Sequence, residues 1–252
     1  MEKLLNFACE IGRQLVQNGA EIYRVEESLQ LLLAAYGCPQ TEVFAIPSFI
    51  VLNIQTEERN YTKAVRTHTV SMNLHKLHRL NALCRNLCRE TPDLQEAERR
   101  FQAIMEEPRY SETARFLASG MVASMFTMFW GGAWLDAVVA FPCGLLVYRV
   151  VGFMSRVRAN VFFTNLFTSM LAAILPLVLP IVGIPMQSDK TIIGTIMLLV
   201  PGLAITNMMR DVLAGDLLTA VTRFAEVLIV AMGISIGVAI TITGTRSIAA
   251  WL

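Results

Sequence analysis

The run LLVPGLAITNMMRDVLAGDLLTAVTRFAE, residues 198–226, holds the side chains with the most chemistry in this sequence. It starts as apolar as a membrane helix, breaks at Pro201-Gly202, and then carries Asn207, Arg210, Asp211, Asp216, Arg223 and Glu226. Pro201 removes a backbone donor and disfavours helix at Val200. A break inside a membrane helix is tolerated only where protein or a water-filled cavity satisfies the freed groups. Many secondary transporters build their midplane sites from such interrupted helices. A guanidinium such as Arg223 is the natural partner of a carboxylate, and Glu226, spaced i,i+3 from it, can pair with it on one helix face. Glu226 or Asp211 is the candidate carrier of a coupling proton. The plainer alternative is an ordinary loop containing Arg210, Asp211 and Asp216, with Arg223 snorkelling to the interface.

The elements that would position these residues are membrane spans. Charge-free runs cover residues 116–135, 159–188, 191–209 and 227–245, each close to the ~20 residues that cross a hydrocarbon core. A further span is expected between Asp136 and Arg149, extended by VVGFM. Five spans result, at about 114–131, 134–154, 160–182, 190–207 and 218–242. Thr164, Asn165 and Ser169 in the third are read as interhelical hydrogen-bonding groups rather than cavity lining.

Basic residues in the short connections orient the spans. Arg149, Arg156 and Arg158 follow the second span and Arg210 follows the fourth, while the opposite connections carry none or only Lys190. The basic side is cytoplasmic, which places the N-terminal domain there and the C-terminus outside, in a bacterial inner (plasma) membrane. The first residues, MEKLLNFACEIGRQLVQNG, form a charged amphipathic helix without an h-region or cleavage site, so a signal peptide is not expected.

Residues 1–110 are expected to form a small cytoplasmic α+β domain, and 111–252 an all-α transmembrane domain. Helices are expected at 4–18 and 21–36, separated by the stop signal Asn18-Gly19. Ile22, Val25, Leu29, Leu32, Leu33 and Tyr36 make one apolar stripe on the second. TEVFAIPSFIVLNIQ reads as strand, with Pro47 interrupting it or placing it at an edge, and NYTKAVRTH as a second strand. Helices at about 73–89 and across DLQEAERRFQAIMEE complete an ααββαα order.

HKLHRLNALCRNLC, residues 75–88, invites a metal reading that helical geometry argues against. At 100° per residue, Cys84 and Cys88 share a face with Leu77, Leu80 and Leu87. His75 and His78 fall opposite, with Arg79, Arg85 and Arg89. No metal and no cofactor is expected.

Composition fits this division. Residues 1–115 hold 14 Lys/Arg and 15 Asp/Glu, and the longer remainder only 7 and 5. Both parts are near neutrality, which speaks against nucleic acid as a partner. Five scattered cysteines give no disulfide framework and favour a reducing compartment for the domain that holds four of them.

Two stretches resemble the signatures of the bacterial threonine/serine exporter family. NGAEIYRVEESLQLLLAAYG, residues 18–37, resembles the opening of its cytoplasmic domain. LVPGLAITNMMRDVLAGDLLTAVTRFAE, residues 199–226, resembles its membrane signature of PG, TN, RD, GD and a later Arg with an acidic residue. The family's single-chain members carry about ten spans. This chain resembles the N-terminal half of the split, two-subunit type linked to succinate export. The resemblance implies a second, smaller membrane subunit that supplies the other spans.

The sequence is therefore read as a subunit of a secondary transporter exporting small carboxylate-bearing metabolites, threonine/serine or succinate-like dicarboxylates, driven by the proton-motive force. Asn207, Arg210, Asp211, Asp216, Arg223 and Glu226 are expected around the site, with Pro201 and Gly202 shaping it. No GxxxxGK[ST] is present for ATP coupling. The partners are that subunit, a small carboxylate and membrane lipid, and a homo-oligomer is compatible with the reading. The alternatives are a membrane-anchored ligand-sensing or assembly platform, using the basic face of Arg79, Arg85 and Arg89, and a hydrolase of the cytoplasmic domain. For the hydrolase, Glu21, Glu26, His68 and His75 would be the acid/base groups, although no GxSxG, HExxH or CxxC supports it.

Overall fold

Helix α1 (Glu2–Gln17) buries Leu4, Leu5, Ala8, Ile11 and Leu15, the spacing of a single apolar face. It stops at Asn18 because Gly19 adopts φ +94°, a conformation that costs glycine nothing. Gly19 N–H then donates to Val16 C=O and Ala20 N–H to Leu15 C=O, the paired bonds of a Schellman C-cap. Helix α2 (Ile22–Ala35) follows after Glu21 and ends the same way, with Gly37 at φ +84° and Cys38 N–H on Leu33 C=O. Its stripe of Ile22, Val25, Leu29, Leu32 and Leu33 is fully buried, with Tyr36 partly so.

The computed structural model describes residues 1–57, 59–67, 72–108 and 110–249. His68, the last residue of the expected strand NYTKAVRTH and one of the acid/base candidates, lies outside them.

The expected strand across residues 41–55 is in fact two. Strand β1 (Thr41–Ile46) and β2 (Phe49–Gln55) pair antiparallel, with Ile46 opposite Phe49 across a turn at Pro47-Ser48. Pro47 has no N–H for a ladder and sits where none is needed. Strand β3 (Asn60–Arg66) pairs with β2, giving the order β1-β2-β3. The domain order is thus ααβββαα. Ile50, Leu52 and Ile54 alternate inward from β2 onto the helices, as the two-residue period of a half-buried sheet requires. Helix α3 (Leu74–Glu90) is capped by Asn73, whose Oδ1 accepts from Lys76 N–H at 3.1 Å. It buries Leu80, Leu83, Cys84 and Leu87, while His75 and His78 are exposed. Helix α4 (Leu94–Glu106) packs Phe101 edge-on against Phe7, centroids 5.9 Å apart.

Five more helices follow: α5 (Glu112–Phe129), α6 (Trp134–Arg156), α7 (Val161–Val178), α8 (Ser188–Ile196) and α9 (Gly202–Leu213). The last is α10 (Leu217–Ala249). Among the described residues, three helical segments are long and apolar enough to cross a membrane: Trp134–Arg156, Val161–Val178 and Leu217–Ser247. The charge-free run 191–209 is divided instead between α8 and α9, separated at 197–201, where Pro201 cannot continue α8.

The chain forms two compact units: Met1–Pro108 with Ile205–Arg223, and Arg109–Ala204 with Phe224–Leu252. In the second, small residues let helices touch backbone to backbone. A Cβ on Gly144 of α6 would lie 2.5 Å from the Ser119 carbonyl of α5, and one on Gly233 of α10 would lie 2.8 Å from the Phe162 carbonyl of α7. Gly237, one turn beyond Gly233, meets the Leu166 carbonyl. This is the small-xxx-small packing of membrane helices, where close van der Waals contact replaces the hydrophobic effect. Most of the buried hydroxyls here bond to their own helices, as Thr127 does to Ala123 C=O at 2.9 Å, Thr168 to Thr164 C=O at 2.6 Å and Thr195 to Thr191 C=O at 2.8 Å. Thr241 of α10 also donates across to Met170 C=O of α7 at 3.2 Å. Asp136, also buried, accepts from the backbone N–H groups of Ala133 and Gln187.

Candidate functional site: a polar cluster in the first unit

The two sequence stretches furthest apart meet within the first unit. The Asn18-Gly19 stop of α1 leaves a turn, Gly19–Ala20–Glu21, in which the Glu21 carbonyl starts α2 by accepting from Arg24 and Val25 N–H, both at 3.1 Å. Residues of α9 and the start of α10 donate to it. Asn207 Nδ2 donates to Gly19 C=O at 3.2 Å, and Arg223 Nη2 to Ala20 C=O at 3.2 Å. Arg210 Nη1 donates to the Glu21 carboxylate. Asn207, Asp211, Glu21 and Arg223 are all buried, whereas the Arg210 side chain is 54% exposed.

Arg223 Nε lies 3.0 Å from Asp211 Oδ2, an ion pair by distance. The two are not aligned as a hydrogen bond, and neither oxygen of Asp211 has a hydrogen-bond partner. Arg24 Nε likewise lies 2.6 Å from Glu21 Oε2 without hydrogen-bond alignment. The Thr219 hydroxyl is buried and unbonded as well. Poorly satisfied buried charges of this kind are costly to a fold and are where function is sought.

The turn between α9 and α10 explains how Asp211 and Arg223 come together. Gly215 takes φ +85°, and Asp216 N–H donates back to Asp211 C=O at 2.9 Å, another Schellman stop. Asp216 then caps α10, its Oδ1 accepting from Thr219 N–H at 3.2 Å. That cap accounts structurally for Asp216. The helical spacing that allows Arg223 to pair with Glu226 is not used: the guanidinium lies against Asp211 instead. Glu226 is exposed and belongs to the second unit, as do Pro201 and Gly202.

Electrostatics differ between the carboxylates. Burial pushes the Glu21 carboxyl up, but its bonds from Arg210 and Tyr23 and the charges of Arg24 and Arg210 outweigh burial and hold it below the usual glutamate value. Burial raises the Asp211 carboxyl; Arg223 opposes the rise, and the Asp216 and Glu21 charges add to it. Glu26, which accepts from Ala45 N–H at 2.7 Å, is also raised by burial, with Asp216 adding a little. Of the other candidates, Arg79 and His75 both contact Glu107, at 2.7 and 3.1 Å, on an exposed surface.

Glu21 is the residue that sequence reasoning did not place at this site. The available signal was its position directly after the Asn18-Gly19 stop, inside one of the two stretches that carry the family resemblance.

The chain is 22% identical over 251 residues to the "Probable threonine/serine exporter" of Mycobacterium tuberculosis, covering 97% of this chain and 47% of that protein. It is 24% identical over 247 residues to the "Threonine/serine exporter" of Corynebacterium glutamicum, covering 95% and 50%. The chain thus spans about half the length of these two relatives. It is 23% identical over 242 residues to the "Probable succinate transporter subunit YjjP" of Escherichia coli, covering 94% of this chain and 93% of that protein. No solved structure matches. The family described as "ThrE: Putative threonine/serine exporter" matches residues 6–244. With that match over nearly all of its length, and with helices apolar enough to span a bilayer, this chain is a membrane protein that belongs to the threonine/serine exporter family.

Proposed function

We propose that this chain is one subunit of a secondary exporter for small carboxylate-bearing metabolites, threonine/serine or succinate-like dicarboxylates, driven by the proton-motive force. The observation that carries the reading is the buried, imperfectly matched pair of Arg223 and Asp211 beside Asn207 and Arg210. Two guanidiniums and an amide offer donors to a carboxylate and a further oxygen. Asp211, raised by burial, can take a proton and so release Arg223 for a substrate anion. Asp216 holds the α9–α10 turn, and Pro201-Gly202 ends the preceding helix so that α9 starts afresh. Glu226 is the alternative to Asp211 as carrier of the coupling proton.

In this reading residues 1–110 form the cytoplasmic domain and 111–252 the transmembrane domain, with five spans in a bacterial inner membrane and the C-terminus outside. Helix α5 supplies one of the spans beyond the three most apolar ones, and the interrupted segment 190–207, which holds most of α8 and the start of α9, supplies the other. A smaller membrane subunit completes the transporter. The match along nearly the whole of a relative named as a subunit supports this, as does the half-length match to the two named exporters.

The test is efflux of preloaded, labelled succinate, threonine and serine from cells lacking their own exporters. The chain is expressed alone and together with its chromosomal neighbour, if that neighbour encodes a small membrane protein. Efflux that requires both is the expected result. Efflux of none of the three acids under either condition would overturn the reading.

A further inference from the structure

Three consecutive residues of the α1–α2 turn are each held by a side chain that the proposed function assigns to substrate. Gly19 offers a carbonyl to Asn207, Ala20 a carbonyl to Arg223, and Glu21 a carboxylate to Arg210. Together they present two neutral oxygens and one anionic group, the acceptor pattern of a small acid with a second oxygen function. We propose that the turn Gly19–Glu21 is a built-in pseudosubstrate, which occupies Asn207, Arg210 and Arg223 until a small carboxylate displaces it. The proposal rests on the function proposed above and deepens it.

Two further features separate a displaceable contact from a permanent staple. A staple should satisfy the atoms it buries, yet Glu21 Oε2, both Asp211 oxygens, Arg223 Nε and Thr219 Oγ1 lack hydrogen-bond partners. Exchange also leaves no charge stranded. Glu21 keeps Arg24, 2.6 Å away, when Arg210 turns to a ligand, so the large penalty for an unpaired buried carboxylate is avoided. Arg210 is the half-exposed member, open to a carboxylate arriving from solution. The ligand class follows from the donors: a dicarboxylate, or an amino acid with a side-chain hydroxyl, fits three donors better than a simple monocarboxylate.

The experiment measures equilibrium binding of labelled succinate, threonine and serine to membranes containing the full-length chain with its chromosomal neighbours. The wild type is compared with Glu21→Gln and with Arg210→Ala, each also tested for its melting temperature. Removing an internal competitor raises apparent affinity by the factor it had been withholding. Glu21→Gln should therefore bind tighter by about fivefold or more, the low end of ordinary coupling between linked sites. Arg210→Ala should weaken binding in both backgrounds. Unchanged or weaker binding by a folded Glu21→Gln protein overturns the proposal while leaving the proposed function intact. Glu21→Asp, which keeps the charge and shortens the reach, is read the same way. If both variants fail to fold, the turn is a structural staple and the proposal falls. If the wild type and every variant bind none of the three acids, the proposed function falls too.

Discussion

The two units handle buried polar groups in opposite ways. In the second, hydroxyls such as Thr127, Thr168 and Thr195 each bond to a carbonyl one turn back on their own helix, and Asp136 is matched by two backbone N–H groups. In the first, all five buried side-chain atoms without hydrogen bonds among the described residues lie on Glu21, Asp211, Thr219 and Arg223. Hydroxyls satisfied on their own helix can be buried at a helix–helix contact without cost and ask nothing of a ligand. Charges buried with incomplete partners cost stability, and proteins keep such groups chiefly where they act. On the function proposed above, the contrast separates polar residues that serve packing from polar residues that serve a site, although both look alike in the sequence.

Arg223→Ala is the strongest challenge to that contrast. It should abolish export while the protein still reaches the membrane, checked by efflux and by the amount in the membrane fraction. Losing one member of a buried pair costs roughly 3–5 kcal/mol, so the purified variant should also melt earlier. Arg223→Ala/Asp211→Ala should recover much of that stability but no export. Normal export by the single variant would remove the site from this cluster.

Next in size is Gly144→Leu in the second unit, where the obstacle is backbone rather than a movable side chain. Overpacking of this kind costs roughly 1–3 kcal/mol, read as a lower melting temperature. A tolerated leucine would mean that α5 and α6 are not held by close approach.

The pH dependence should show the two carboxylates of the first unit pulling in opposite directions. Glu21, lowered by its guanidinium partners, contributes stability above the ordinary glutamate value of about 4.3 and loses it as pH falls through the folded value. Asp211, raised by burial, contributes most below about 3.9 and loses it as pH rises through its folded value. Melting curves of wild type and Glu21→Gln across pH 3–7 should differ in that the variant lacks the loss on the acid side (a span of about four pH units brackets both groups). Superimposable curves would show that Glu21 is not coupled to the fold.

The smallest effect is a paired comparison. Thr219→Val removes an unbonded buried hydroxyl and should raise stability by up to about 1 kcal/mol, whereas Thr127→Val loses a made hydrogen bond and should lower it by about as much. Equal shifts of the same sign would erase the difference between the units.

Much of this was legible in the sequence, and the rest was hidden for identifiable reasons. The stripe on α2 and the opposed faces of α3 follow from helical period, and Leu29, Leu80 and Cys84 are buried where that period puts them. Gly19 marked a stop because only its φ mattered. Pro47 marked a disruption but not its kind: a missing N–H is compatible with an edge, an interruption or a hairpin, and cross-strand register decides among them. Arg223 was visible as a costly charge, but its partner was misjudged because i,i+3 spacing sees only one helix. Asp211 reaches it through the Gly215 turn. Glu21 stands out in the sequence only as an acid/base candidate of the cytoplasmic domain, since nothing local ties a carboxylate beginning an amphipathic helix to residues of α9 and α10.

The long chain separation inside the first unit sets a schedule for its synthesis. Gly19 and Asn207 are 188 residues apart, and Ala20 and Arg223 are 203 apart. At 5–20 residues per second, the ribosome needs roughly 10–40 s to make the second partner after the first. For that interval the α1–α2 turn lacks its eventual donors, and helices α5 to α8 are translated before those donors exist. A nascent chain thus passes through a stage with a nearly complete N-terminal fold and no polar cluster, which would then be the last part of the first unit to form.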